Sequence, residues 1–160
     1  MTRSDAVQMP ARPLPDEPVL ERGFADAIEA DTRTEDGTPG PNYWQQDAQY
    51  DLEATLHPEQ KRLDGAARIT YTNNSPDALR RFHIELAQNL HKAGVIRNEM
   101  AEVTGGVTVE RVAVNGTELQ PGTSGPRYQQ ANTQLVLFPE SSLSPGASAT
   151  IEIDWRFTIP

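Results

Sequence analysis

From Tyr43 onward, apolar and polar residues alternate with a period of two, the spacing of strands with one dry and one wet face. In "YDLEATLH", Tyr50, Leu52, Ala54 and Leu56 fall on one side, and Asp51, Glu53 and Thr55 on the other. Pro58 in "HPEQK" presets a turn. Leu63, Ala67, Ile69 and Tyr71 then share a face opposite Arg68, Thr70 and Thr72. Gly65 interrupts that face, which predicts a bulge or a close approach of another chain segment. "NNSPD" predicts a turn into an antiparallel neighbour, with Phe82, Ile84 and Leu86 inward and Arg81, His83 and Glu85 outward. Leu79, Phe82 and Leu86 also fit helical spacing, but the unbroken alternation favours a strand through about Leu86.

An unpatterned loop follows, "HKAGVIRNEMAEVTGG". Val107 and Val109 alternate, whereas Val112 and Val114 have slipped by one position, predicting a bulge near Glu110 or Arg111. Asn115-Gly116 is a strong hairpin signal, because both central residues of a type I′ turn need φ > 0. "NTQLVLFP" reads as a short strand and Pro145-Gly146 as a turn. In the last strand Ile151, Ile153, Trp155, Phe157 and Ile159 alternate with Glu152, Asp154, Arg156 and Thr158. Six or so short antiparallel strands punctuated this way predict an all-β fold, an antiparallel β-sandwich or a pair of curved open sheets.

Composition separates the first 40 residues from the rest. They hold 5 of the 13 prolines and carry four Lys or Arg against nine Asp or Glu. Few large apolar residues accompany them, so residues 1–40 are expected to be a disordered or weakly helical acidic tail ahead of a β-sandwich domain over 41–160. Within the tail Leu20, Phe24 and Ile28 recur every four residues after Pro18, the pattern of a short amphipathic helix. "MTRSDAVQMPARPLPDEP" has no apolar h-region, so no signal peptide is expected within this chain.

The 160 residues carry a net charge of −9. No basic footprint exists to displace phosphate counterions, so nucleic acid is not an expected partner. An anionic membrane surface is disfavoured for the same reason, and no apolar run approaches the ~18 residues of a membrane span. Cysteine is absent, which removes disulfides, thiolate metal sites and thiol catalysis.

The residues offer little chemistry. "HPEQK" at His57 places Pro58 where a zinc-peptidase H-E-x-x-H motif needs Glu, and no second His follows. His83 and His91 have no carboxylate at ligand spacing. Ser141, Ser142 and Ser144 lack a G-x-S-x-G context, and Gly105-Gly106 lacks the Lys and helix of a phosphate loop. Glu152 and Asp154 share one strand face, as a wetted surface does. No catalytic, cofactor-binding or metal-binding residue is assigned.

One resemblance adds what this chemistry does not. "YDLEATLHPEQKRLDGAARITYTNNSPDALRRFHIEL" resembles the opening of the N-terminal domain of the aminopeptidase N family of zinc metallopeptidases, bacterial type. That family orders a tyrosine-led strand, an acidic or proline turn, an "L-x-G-x-x-x-I-x-Y-x-N" strand and a third strand. The positions matching the second strand are Leu63, Gly65, Ile69, Tyr71 and Asn73. "VERVAVNGTEL" is similar to that domain's hairpin, and "LSPGASATIEIDWRFTIP" to its proline-glycine turn and long returning strand. "GPNYWQQDAQYDL" is similar to the lead-in of bacterial, often exported, members.

The resemblance covers residues 41–160. It implies a non-catalytic β-sandwich, incomplete here, that flanks the substrate cleft of a thermolysin-like catalytic domain, in cis or missing. Zinc and peptide substrate belong to the full enzyme, so this chain alone is expected to be inactive and to hold no cofactor. A periplasmic or secreted location is implied as well. Two other readings of the residues stay open. One is a stand-alone module binding protein or carbohydrate through Tyr43, Trp44 and Tyr128. The other is an assembly domain whose edge strands recruit a partner. Trp155 is expected in the core, on a last strand central to stability; the alternative is a face covered by the missing catalytic domain.

Overall fold

The computed structural model describes residues 21–160. The chain divides into two compact units, with the boundary between Tyr43 and Trp44. In the first, α1 (Arg22–Glu29) half-buries Phe24, Ala27 and Ile28, an i, i+3, i+4 set on one face. Leu20, the first member of the expected stripe, lies outside the described residues, as does the rest of the tail through residue 20. Beyond α1, Asp31 takes φ 56° and the chain closes on itself. Asp36 Oδ1 accepts from the Thr38 amide at 3.1 Å and the Thr38 hydroxyl at 2.9 Å, and from the Thr34 hydroxyl. These donors, the Thr34 hydroxyl foremost, hold the Asp36 carboxyl below the usual carboxylate range. Short-range hydrogen bonds thus order a segment whose composition predicts a tail.

The second unit is built of strands: β1 (Asp47–His57), β2 (Arg62–Thr72), β3 (Phe82–Glu85), β4 (Thr108–Val114), β5 (Thr117–Glu118), β6 (Gln120–Pro121), β7 (Arg127–Ala131), β8 (Gln134–Phe138) and β9 (Ser148–Thr158). They form a five-stranded sheet, β1-β2-β9-β4-β5, and a four-stranded sheet, β3-β8-β7-β6. The all-β expectation holds. All pairings are antiparallel except β6 with β7, a short parallel contact that makes the smaller sheet mixed.

β2 and β3 are not the hairpin that "NNSPD" predicts. β2 pairs with β1 and β9, while β3 pairs with β8 in the other sheet. The reason is Asn73, which is fully buried at the corner. Its Oδ1 accepts from Gln46 Nε2 at 3.1 Å, the Ser75 amide at 3.1 Å and the Ser75 hydroxyl at 2.6 Å. Its Nδ2 donates to the carbonyls of Asp77 at 2.8 Å and Leu143 at 3.1 Å. One amide thereby satisfies several buried backbone groups while the chain changes sheets.

Other local signals behave as their residues require. Asn115 and Gly116 take φ 50° and 79° in the β4–β5 hairpin. The register of β4 on β9 slips between Val109 and Arg111, so Glu110 is the extra residue of a bulge. Gly65 makes a close approach, in unbroken register with both neighbours: a Cβ there would collide with the indole of Trp155.

The core lies between the sheets. Ile69, Val112, Val114, Ile151 and Ile153 of the larger sheet meet Phe82, Leu135 and Leu137 of the smaller one. Tyr71 packs edge-on to Phe82, with ring centroids 5.5 Å apart. The strands of the smaller sheet have at most five residues, those of β1, β2 and β9 eleven. Burial therefore fades along β9, from buried Ile153 to half-buried Trp155 and Phe157; Ile159, expected in this strand, lies just beyond its end.

Residues 86–107, between β3 and β4, are drawn together at their two ends. Ala87–His91 form a 3-10 turn in which Asn89 is fully buried. Asn89 Nδ2 donates to the Asn132 carbonyl at 2.8 Å, and its Oδ1 accepts from the Val107 amide at 2.9 Å. Gly106, at φ 67°, lies so close to Asn89 that a Cβ would overlap it.

Candidate functional site

Where the short sheet stops, the long one is left uncovered. An apolar groove of ≈ 290 Å³ opens there, walled by Tyr50 and Leu52 of β1, Ile69 of β2, Ile153 and Trp155 of β9, and Ile84 of β3. Trp155 and Phe157 stack along one wall, 5.7 Å between centroids and 15° between planes. Gln88 also lines the groove, and its Oε1 is buried without a hydrogen-bond partner among the described residues. An unpaired buried acceptor costs about 1–3 kcal/mol, so the wall is one donor short.

β1 is the outer strand of its sheet. Tyr50, Leu52 and Leu56 do share a face, as their alternation predicts, but that face is not dry. They are 59 %, 66 % and 55 % exposed. Trp155 belongs to both alternatives left open by its pattern: half-buried, it packs on the core through one side and walls the groove with the other.

The opposite face of the larger sheet is ionic. Arg68 meets Glu152 at 2.7 Å, Arg111 reaches Glu152 at 3.5 Å and Asp154 at 3.7 Å, and Arg156 meets Glu110 at 2.8 Å. These pairs place the Glu152–Asp154 couple in a surface ladder of modest energetic value. At its end Arg62 grips Asp64 at 2.7 Å, with His57 Nε2 3.2 Å from the same carboxylate. The Arg62 guanidinium holds the Asp64 carboxyl below the usual carboxylate range.

The remaining residues of chemical interest lie apart. His83 projects from exposed positions of β3, and His91 Nδ1 sits 2.8 Å from the Glu102 carbonyl. Ser141, Ser142 and Ser144 are exposed around the strand-like bridge of Leu143 to Leu79. Gly105 and Gly106 take positive φ in the approach to β4. Among the described residues, no three His, Asp or Glu side chains come together as a metal-binding group. No helix among them is long and apolar enough to cross a membrane. Of the aromatic binding candidates, Tyr43 and Trp44 are exposed, while Tyr128 is partly buried against the core. The groove and Gln88 were missed in the sequence, since alternation marks the side a residue faces and not what stands opposite.

Solved structures similar to this chain include the M1 zinc metallopeptidase from Deinococcus radiodurans, at 20 % identity and TM-score 0.48 over 71 % of this chain and 20 % of that one. A mutant of that enzyme matches at 20 % identity and TM-score 0.49 over 76 % of this chain and 22 % of that one. The same mutant with a bound Tyr-Ser-Ala substrate matches equally. The chain thus spans about a fifth of the length of the structures it matches. No family model matches the chain, and no curated protein does.

Proposed function

We propose that residues 41–160 are a non-catalytic β domain of a zinc-dependent aminopeptidase of the aminopeptidase N type. In this reading the domain flanks the peptide cleft of a catalytic domain, which supplies the zinc and the acid–base chemistry. This chain supplies a rigid wall. The observation that carries the reading is the fate of the family-like "L-x-G-x-x-x-I-x-Y-x-N" strand. Its key positions are the ones with the most demanding contacts: Gly65 under the Trp155 ring, Ile69 in the core, Tyr71 against Phe82, and Asn73 buried at the corner. The motif is thus a packing specification rather than a loose strand pattern, and that raises the weight of the resemblance.

The groove fits the same reading. Its walls are half of a core, and a second body seated on it would bury Tyr50, Leu52 and the outer side of Trp155. The test begins in the gene, by reading the coding frame beyond the Pro160 codon. A frame continuing into H-E-x-x-H with a distant Glu is expected. The longer product should hydrolyse aminoacyl-naphthylamides, and removing residues 44–160 from it should abolish that activity. A stop codon at that point, or a continuing frame without the zinc motif, would overturn the proposal.

A further inference from the structure

Thioether sulfur is the softest nucleophile available to a chain without cysteine. This chain has three methionines. Met1 and Met9 lie outside the described residues, and Met100 stands on the lobe between β3 and β4. A methionine is ordinarily a core residue, flexible enough to fill irregular gaps. Met100 fills none. Its side chain is 103 % exposed and has no place in the apolar core. It borders a depression of ≈ 510 Å³ together with Ile96, Arg97 and Glu99, and Ile96 is itself 94 % exposed.

The lobe is held by bonds that do not involve Met100. The Arg97 guanidinium donates to the Leu90 carbonyl at 2.7 Å and to the Lys92 carbonyl at 3.3 Å. His91 Nδ1 sits 2.8 Å from the Glu102 carbonyl, and the Thr104 and Gly105 amides both donate to the His91 carbonyl at 3.1 Å. With the buried Asn89 at the neck, these ties fix the chain on either side of residues 98–101. A change of polarity at Met100 therefore has no route into the sheets: it removes no core contact and breaks no bond of the frame.

We infer that Met100 is a reversible oxidation site for hydroperoxides, and that its change of state stays on the lobe. A sulfur lone pair attacks the terminal oxygen of the peroxide, forming the S–O bond as the O–O bond breaks. The proton of the transferred oxygen passes to the departing one, which leaves as water or an alcohol. Sulfur is oxidised by two electrons to the sulfoxide, and the peroxide is reduced by two. The rate follows access to the sulfur, and no thiolate in the chain competes for the oxidant. The product places a strong hydrogen-bond acceptor beside Ile96, so an apolar tip becomes a polar one while the sandwich is unchanged. This stands apart from the family reading and does not rest on it.

The test treats the full 160-residue chain with hydrogen peroxide and follows the tryptic peptide 98–111, whose one methionine is Met100, by mass spectrometry. The folded chain should gain one oxygen there at the rate of the free synthetic peptide, to within about twofold. A slower rate overturns the inference, since the sulfur would then be sheltered. Thermal unfolding supplies the second readout, with Met100→Leu as the control that carries the same oxidation at Met1 and Met9. Oxidised wild type and oxidised Met100→Leu should melt within about 1 °C of one another. A larger drop in the wild type overturns the claim that the change stays on the lobe. The two methionine sulfoxide reductases, one for each epimer, should restore the original mass of peptide 98–111 in the folded chain. A sulfoxide they remove only after unfolding overturns the site as a reversible one.

Discussion

Gly65→Ala is the sharpest test of how the long sheet is packed. An added Cβ would stand 2.6 Å from Cε2 and Cη2 of Trp155 and closer still to Cζ2. Real carbon contacts need ~3.5 Å or more, so the ring must move. Because Trp155 is only half-buried, it can swing toward the open groove rather than force the backbone apart. The cost should be that of a relieved overpacking, about 1–3 kcal/mol. Trp155→Ala alone should cost about 2–3 kcal/mol, below the ~3–5 of a fully buried tryptophan. In the Trp155→Ala background the obstacle is gone. Gly65, whose φ lies in the ordinary range, should then accept alanine at no cost or with a gain of about 0.4–1 kcal/mol from the stiffer unfolded chain. Urea denaturation of the four proteins, followed by far-ultraviolet circular dichroism, gives the coupling, expected near 2 kcal/mol. With Trp44 replaced by Phe, Trp155 emission should shift to the red in Gly65→Ala. An equal cost in both backgrounds would refute the close-approach account of this glycine.

Asn73→Ala should destabilise by about 1–3 kcal/mol, since it leaves the buried Ser75 amide without its acceptor, while the Leu143 and Asp77 carbonyls keep the Leu79 amide and the Ser75 hydroxyl; thermal unfolding measures it. Deleting Glu110 should remove the bulge and place Val107, Val109, Val112 and Val114 in one unbroken alternation, at the loss only of the exposed Arg156–Glu110 pair, seen as retained dispersion of the methyl signals of Val112 and Val114. Asp64 should titrate below its ordinary value of ~3.9, and Arg62→Ala should raise it toward that value, with His57 still holding it down, as followed by carboxyl NMR. The sign follows from the lowered carboxyl: its stabilising contribution is present above the unfolded value and is lost as pH falls through the folded one. Tyr71, whose phenol burial pushes upward, acts oppositely: its contribution is present below the unfolded tyrosine value of ~10 and is lost as pH rises through the folded one.

Much of the sheet content was legible because it is written locally. The alternation of β9, the Asn115-Gly116 turn and the one-residue slip at Glu110 each follow from backbone geometry that neighbouring residues impose. Strand pairing was not, because it depends on what lies far off in sequence: "NNSPD" looks like a hairpin turn until Asn73 is seen to bond to Leu143. The short parallel contact of β6 with β7 has no periodic signature at two residues. At the groove, the apolar faces of β1 and β9 could be read, but their exposure could not. Periodicity records an environment a sequence is suited to, and it is silent about whether that environment is dry.

The pinching of residues 86–107 by Asn89 has a consequence for how this protein can change. A single buried amide ties the Val107 amide to the Asn132 carbonyl, so the entry and exit of the excursion are held together at a neck. Everything distal to that neck hangs from a closed ring. Lengthening it would add only a logarithmic closure cost, about 0.6 kcal/mol per doubling, and would not tug on either sheet. Ile96 and Met100, almost fully exposed, stand on this tethered lobe. The sheets can therefore stay constant while the lobe is rewritten, in evolution or by grafting a foreign sequence between Gly94 and Glu102. The glycine at 106, which no other residue can replace without displacing Asn89, is the hinge-pin of that freedom.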